Sequence, residues 1–255
     1  MFRNKLSKWF IPVLVLILAV AYYFYKNTTP SIDDIWVLNL DKDKERFQKI
    51  LDQESLLPQK VNRWKATYGK DENREDAKKD GVSRTISTRS DVELPKENLT
   101  VTHAQGEIGC WLSHKRLLQH LNTLNVSPNF GHLVLEDDVV FDKDFLRKWN
   151  KIKHTIPGDW DFIYFGIGHP RGDRINENVI RWSNTKGWSN HGAYAYMVRH
   201  RALPHILKKI RFMSAAIDDE YFYALEDLNV YIIDPALVSA DTDVESTIGS
   251  QQERF

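Results

Sequence analysis

Apolar positions along the chain switch between two periods, and the switches divide it into short strands and helices. Ile35 to Leu40 is a compact apolar run rich in strand formers. It ends in the polar turn Asp41 to Arg46, and Phe47, Ile50 and Leu51 then recur at helical spacing. Val61 to Thr67 reads as a second short strand. Gly106 to Leu124 carries the clearest helical pattern, through Ile108, Trp111, Leu112, Leu118 and Leu121. His132 to Leu135 is a buried-type strand that runs straight into Glu136, Asp137 and Asp138. Phe141 to Ile152 reads as an amphipathic helix and Asp161 to Gly166 as a strand. Residues 167–190 look irregular. A strand over Ala193 to Val198, a helix over Ala202 to Ile210 and a strand at Tyr231 to Ile233 close the pattern. Strands alternating with helices predict an α/β domain whose sheet is covered on both faces.

Two segments stand apart. Trp9 to Tyr25 is a stretch of 17 residues without a charge, preceded by Arg3, Lys5 and Lys8. It predicts a transmembrane signal anchor with its N-terminus in the cytoplasm. Ala19-Val-Ala21 would suit signal cleavage, but the apolar run continues past it, which favours an uncleaved anchor. The expected organisation is a cytoplasmic tail at 1–8, an anchor at 9–25, a short stem at 26–33 and one folded domain at 34–255. Such a single-pass type II protein would place its domain in the Golgi or endoplasmic reticulum lumen, or outside a bacterial inner membrane. Residues 69–100 are densely charged and then rich in Ser, Thr and Arg, so they read as a variable loop.

Composition narrows this little. With 35 basic and 35 acidic side chains the net charge is +0, which gives no sign of a nucleic-acid partner. Cys110 is the single cysteine, so no intrachain disulfide exists. Its place in the helical pattern reads as a small buried hydrophobe.

The acidic strand end carries the chemistry. Ligands of open α/β sheets bind beyond the carboxyl ends of the strands. If strand geometry holds through the motif, Glu136 and Asp138 share one face and Asp137 points to the other. Two carboxylates on one face suit a hard divalent cation, which could neutralise charge building on a diphosphate. A solvated acidic turn is the alternative.

The blocks around this motif resemble glycosyltransferase family 25. Trp36-Val-Leu-Asn-Leu-Asp41 with Glu45 and Arg46 resembles the family's opening strand and turn, and Arg63, Ala66 and Gly69 its second block. Gly106-Glu-Ile-Gly-Cys-Trp-Leu-Ser-His114 is similar to its most distinctive motif, and Leu133-Val-Leu-Glu-Asp-Asp-Val139 to its acidic motif. Trp160 to Gly166, Gly192 to Tyr196, Ile217-Asp-Asp-Glu220, Pro235-Ala-Leu and Glu245 to Ile248 follow in order.

The resemblance implies a GT-A-type, Rossmann-like single domain with a mixed central sheet. It also implies a nucleotide sugar donor, usually UDP-galactose, with Mn²⁺ as the usual metal and inversion at the anomeric carbon. On this basis Glu136 and Asp138 would hold the metal, with Asp243 as a further contact. Asp137 would touch the donor or lend an oxygen. Asn39, Leu40 and Arg46 would lie near the nucleotide, and Ser113 and His114 near the donor or within the core. Asp219 would be the base, with Asp218 and Glu220 as alternates; N-terminal helix capping is the other reading of these three. His191 is a further candidate contact. The acceptor would be a glycan or glycoprotein hydroxyl. Alternatives are transfer of glucose or N-acetylglucosamine, a silent glycan-binding relative, or a metal-dependent hydrolase.

Overall fold

The structure is a computed structural model that describes residues 12–16, 20, 29–82, 101–183 and 192–242. Its centre is an eight-stranded mixed sheet in the order β2-β1-β3-β8-β5-β9-β7-β6. The strands are β1 (Asp34–Asn39), β2 (Val61–Lys65), β3 (Gly131–Glu136), β5 (Phe162–Gly166), β6 (Gly172–Asn176), β7 (Val179–Trp182), β8 (Ala195–Arg199) and β9 (Val230–Ile233). β4 (Val139–Phe141) and β10 (Val238–Ala240) form a separate antiparallel pair. β1 lies parallel to both β2 and β3, and β8 enters antiparallel between β3 and β5. The chain therefore leaves β1 toward one side for β2 and returns on the other side for β3. That reversal opens a crevice beyond the carboxyl ends of β1 and β3.

Two buried layers sandwich the sheet. The helices are α1 (Lys44–Asp52), α2 (Arg74–Lys79), α3 (Val101–Asn122), α4 (Phe145–Ile152), α5 (Leu203–Lys209) and α6 (Ile217–Ala224). Trp111, Leu118 and Leu121 of α3 pack with α5 and α6 on one face, against Leu38, Val134 and Tyr196. Ile50 of α1 and Phe145, Trp149 and Ile152 of α4 cover the other, against Val37, Leu133 and Leu135. Alternate residues of β3 thus face opposite layers, as strand geometry requires. All five residues from Gly131 to Leu135 are buried, which explains the unbroken apolar run.

Three expectations are corrected. The first is the transmembrane helix over 9–25: among the described residues, no helix is long and apolar enough to cross a membrane. Of that stretch only Pro12–Leu16 and Val20 are described, as helical and exposed, and the rest lies outside the described residues. The type II topology, with its cytoplasmic tail, stem and lumenal or inner-membrane placement, falls with the anchor.

The second concerns residues 69–100. Asn73 caps α2 by accepting from Glu75 N–H, and Val82 bridges to Met213, so the first part is ordered. Residues 83–100 lie outside the described residues. The third concerns 167–190, where β6 and β7 form an antiparallel pair instead of irregular chain.

One close approach sets the shape of the crevice. α3 crosses the segment after β2 at Gly69 and Gly109. A Cβ on Gly109 would lie 2.7 Å from both Gly69 N and Thr67 O, and one on Gly69 would overlap Gln105 O. Glycine is required there by contact, since neither residue has a positive φ. Arg116 of α3 pins the same segment through Glu72 and Asp80, each at 2.6 Å. Gly109→Ala should therefore destabilise the fold by about 1–3 kcal/mol, although alanine favours an ordinary helix interior. Thermal unfolding checks this, and a raised melting temperature would contradict the close approach.

Candidate active site

The crevice is lined by Leu38, Leu40 and Arg46 from the end of β1 and the start of α1. Residues Ala66 to Lys70 after β2, and Gly106, Cys110, Ser113 and His114 of α3, form its far wall, and Glu136, Asp137 and Asp138 its floor. It thus collects Leu40, Arg46, Ser113, His114 and all three carboxylates of the acidic motif. Asn39 joins through a hydrogen bond.

The acidic residues do not continue the strand. β3 ends at Glu136, and Asp137 and Asp138 form a tight turn into β4. The expected alternation of faces stops there, and the three carboxylates splay around one opening. Glu136 turns toward α3, with Oε1 3.4 Å from His114 Nε2. Asp137 turns toward β1, where Asn39 Nδ2 donates to its Oδ2 at 2.6 Å and Arg46 meets its Oδ1 at 3.3 Å. Burial raises the Asp137 pKa, against the lowering effects of Asn39 and Arg46.

Asn39 is the hub of this side. It is almost fully buried, its amide also donates to Asp43 O, and its carbonyl accepts from Arg63 Nε at 2.7 Å. Each amide function has a matched partner, as a buried carboxamide needs.

Asp138 differs from its neighbours. Its Oδ1 is buried and has no hydrogen-bond partner. Burial first, then the charges of Glu136 and Asp137, push its carboxyl up to about 7. A buried carboxylate oxygen beside two other carboxylates is the feature a divalent cation would satisfy. Tyr194 stands over the same charges: burial, then Glu136 and Asp138, raise its hydroxyl to about 12. Its backbone carbonyl also accepts from Glu136 N–H at 2.9 Å.

Ser113 has a structural place. Its hydroxyl donates to Gly109 O at 2.6 Å and accepts from Thr67 N–H at 2.8 Å, tying α3 to the segment after β2. His114 is fully buried, and its Nδ1 lies 3.0 Å from Tyr196 Oη, which in turn meets Tyr221 Oη at 2.9 Å.

The second acidic cluster opens α6 and is not among the residues lining the crevice. Glu220 folds back to accept from the Ser214 hydroxyl at 2.7 Å and from the Ser214 and Ala215 N–H groups. These bonds tie the segment before α6 back onto its first turn. Asp218 accepts from Gly192 N–H at 3.0 Å, at the start of the segment that carries Tyr194. Asp219 sits half-buried in the same first turn. Asp243 and His191 lie outside the described residues.

Sequence reasoning missed Tyr194, Tyr196 and the position of Cys110 on the wall of the crevice. The i, i+4 spacing of Cys110 and His114 was the available signal for the last.

The family's sequence profile, described as "Glycosyltransferase family 25 (LPS biosynthesis protein)", matches residues 32–186. The chain belongs to glycosyltransferase family 25. Similar family 25 proteins include a "Glycosyltransferase 25 family member" of Drosophila pseudoobscura pseudoobscura. It is 29% identical over 175 residues, which are 67% of this chain and 25% of that protein. One from Anopheles gambiae is 30% identical over 168 residues, 65% of this chain and 26% of its own length. "Procollagen galactosyltransferase 1-A" of Xenopus laevis is 27% identical over 152 residues, 58% and 23% of the two chains. The chain spans about a quarter of the length of these relatives. The matched region contains Asn39, Arg46, α3 and the acidic turn, and it ends before Tyr194 and α6.

The electrostatics of the floor generate a stability prediction. Asp138→Asn removes one of three crowded charges and should raise the stability of the metal-free protein by about 1 kcal/mol, or about 2–4 °C. Mn²⁺ should raise the melting temperature of the unsubstituted protein and leave that of the variant nearly unchanged. Calorimetry with and without Mn²⁺ tests both statements.

Proposed function

We propose that this protein is an inverting, metal-dependent glycosyltransferase that moves galactose from UDP-galactose to a hydroxyl of a glycan or glycoprotein. The observation that carries the reading is the buried, unpartnered Oδ1 of Asp138 between Glu136 and Asp137, at the reversal of a doubly wound sheet. Family membership supports a nucleotide sugar as donor. The procollagen galactosyltransferases among the relatives favour galactose.

Glu136 and Asp138 are assigned to the cation, with Asp243 as a further contact. The donor set is carboxylate oxygen, which fits Mn²⁺ or Mg²⁺. When bound, the ion offsets negative charge on the diphosphate leaving group. The remaining roles belong to the chain. Asp137 is held by buried Asn39 and fixes Arg46 on the crevice wall, where the nucleotide would lie against Leu40. Lys70 lines the crevice opposite and would meet a diphosphate oxygen.

The acceptor hydroxyl attacks the anomeric carbon from the face opposite the leaving UDP, and its proton passes to a carboxylate. Asp219 is assigned as that base on the family pattern Ile217-Asp-Asp-Glu220. Glu220 is set aside because its carboxylate already holds Ser214 and Ala215. Asp218 positions the segment from Gly192 to Tyr194.

The test is release of UDP from UDP-galactose, with and without Mn²⁺, beside Asp138→Ala and Asp219→Asn. Both variants should lose about 10²–10³-fold in kcat, the usual cost of deleting one group that stabilises developing charge or moves the proton. If no nucleotide sugar binds even with Mn²⁺, the transferase reading fails. UDP release that is indifferent to Asp138→Ala would remove the acidic turn from the mechanism.

A further inference from the structure

The wall of the crevice holds a second donor set, of different chemistry. Cys110 and His114 are four residues apart on α3 and so share one face, one turn apart. Glu136 reaches the same point from the end of β3. The Cys110 Sγ, a ring nitrogen of His114 and a carboxylate oxygen of Glu136 all lie within 4.8 Å of one another. All three residues line the crevice.

The histidine is already oriented. Tyr196 Oη holds Nδ1 at 3.0 Å, and Nε2 faces Glu136 at 3.4 Å. Tyr221 holds Tyr196 in turn, and the whole relay is buried. A ring fixed through one nitrogen presents the other as a ligand, the arrangement that accompanies metal-bound histidines.

Thiolate and imidazole are soft to borderline donors, whereas Glu136 with Asp138 offers oxygen alone. The two sets therefore sort metals differently: oxygen donors suit Mn²⁺ and Mg²⁺, and a Cys-His-carboxylate set suits Zn²⁺. Three protein ligands on a crevice wall leave a fourth position open to solvent.

We infer that Cys110, His114 and Glu136 form a Zn²⁺ site. Zinc–sulfur bond formation releases the thiol proton to solvent, so no redox partner is required. Glu136 belongs to both donor sets. Zinc on α3 draws on that shared carboxylate and sets a second dication beside the oxygen pair, so Zn²⁺ antagonises Mn²⁺. That antagonism rests on the transferase reading; the site itself does not.

Cys110 is the single cysteine, so thiol chemistry on the unsubstituted full chain reports on one atom. An equimolar amount of Zn²⁺ should protect it from an aromatic disulfide reagent, whereas Mn²⁺ should not. Co²⁺ should give a near-ultraviolet sulfur-to-cobalt charge-transfer band that Cys110→Ser abolishes. Asp138→Asn should keep both the protection and the band. Equal thiol reactivity with and without Zn²⁺, or no cobalt–sulfur band in the unsubstituted protein, overturns the site. So does loss of zinc protection in Asp138→Asn, which would put the metal on the acidic pair. Zinc protection in a protein that binds no nucleotide sugar supports the site and removes only the antagonism.

Discussion

Three carboxylates at the end of one buried strand repel one another, and much of the molecule around them is arranged to contain that repulsion. Removing a carboxylate from water is costly unless it is paired or hydrogen-bonded. Asp137 is contained by Asn39 and Arg46, and Asn39 is held in turn by Arg63 and Asp43. Glu136 is contained by proximity to a buried histidine whose far nitrogen is held by Tyr196. Asp138 Oδ1 has no such partner, and its raised pKa expresses the imbalance. Within the acidic turn, the negative charge at Asp138 Oδ1 is left unpartnered at the floor of the crevice.

Those walls depend on contacts of another kind. The crevice exists because α3 can approach the segment after β2 at backbone distance, which Gly69 and Gly109 permit and the Ser113 bridge to Thr67 fixes. Lys115 reinforces the approach from the next turn of α3. Its ammonium donates to the backbone carbonyls of Asp80 and Arg211, and burial lowers its pKa. Packing, backbone contact and electrostatics therefore converge on one helix. A change in α3 would be felt at Glu136 without touching the acidic turn.

How much of this could be read from the chain depends on whether the feature is local. The run His132 to Leu135, the helix through Trp111 and Leu118, and Asn39 at the first strand end with Arg46 in the helix after it are all legible, because period and position are local properties. The β6–β7 hairpin was not. Asp173, Arg174 and Ile175 are exposed in succession, so β6 has no buried face to generate alternation. β4 and β10 have three residues each, too few to carry a period. The expected split of Glu136 and Asp138 from Asp137 assumed an extended chain, and the turn at Asp137 removed that premise. Glu220 reads as capping or as chemistry from sequence, and its carboxylate is engaged by Ser214 and Ala215 ahead of the helix.

Cys110 shows the limit most plainly. Helical periodicity says that it faces inward, and a small apolar residue would satisfy that pattern equally well. What periodicity cannot supply is the identity of the atoms across the gap, because the place of the following strand β3 relative to α3 is set by its pairing with β1 and β8. Donor identity then matters more than donor count. Glu136 between an imidazole and a thiol belongs to one coordination chemistry, and Glu136 beside Asp138 belongs to another. A single carboxylate stands at the intersection, within reach of the His114 ring on one side and next in sequence to the Asp137–Asp138 turn on the other.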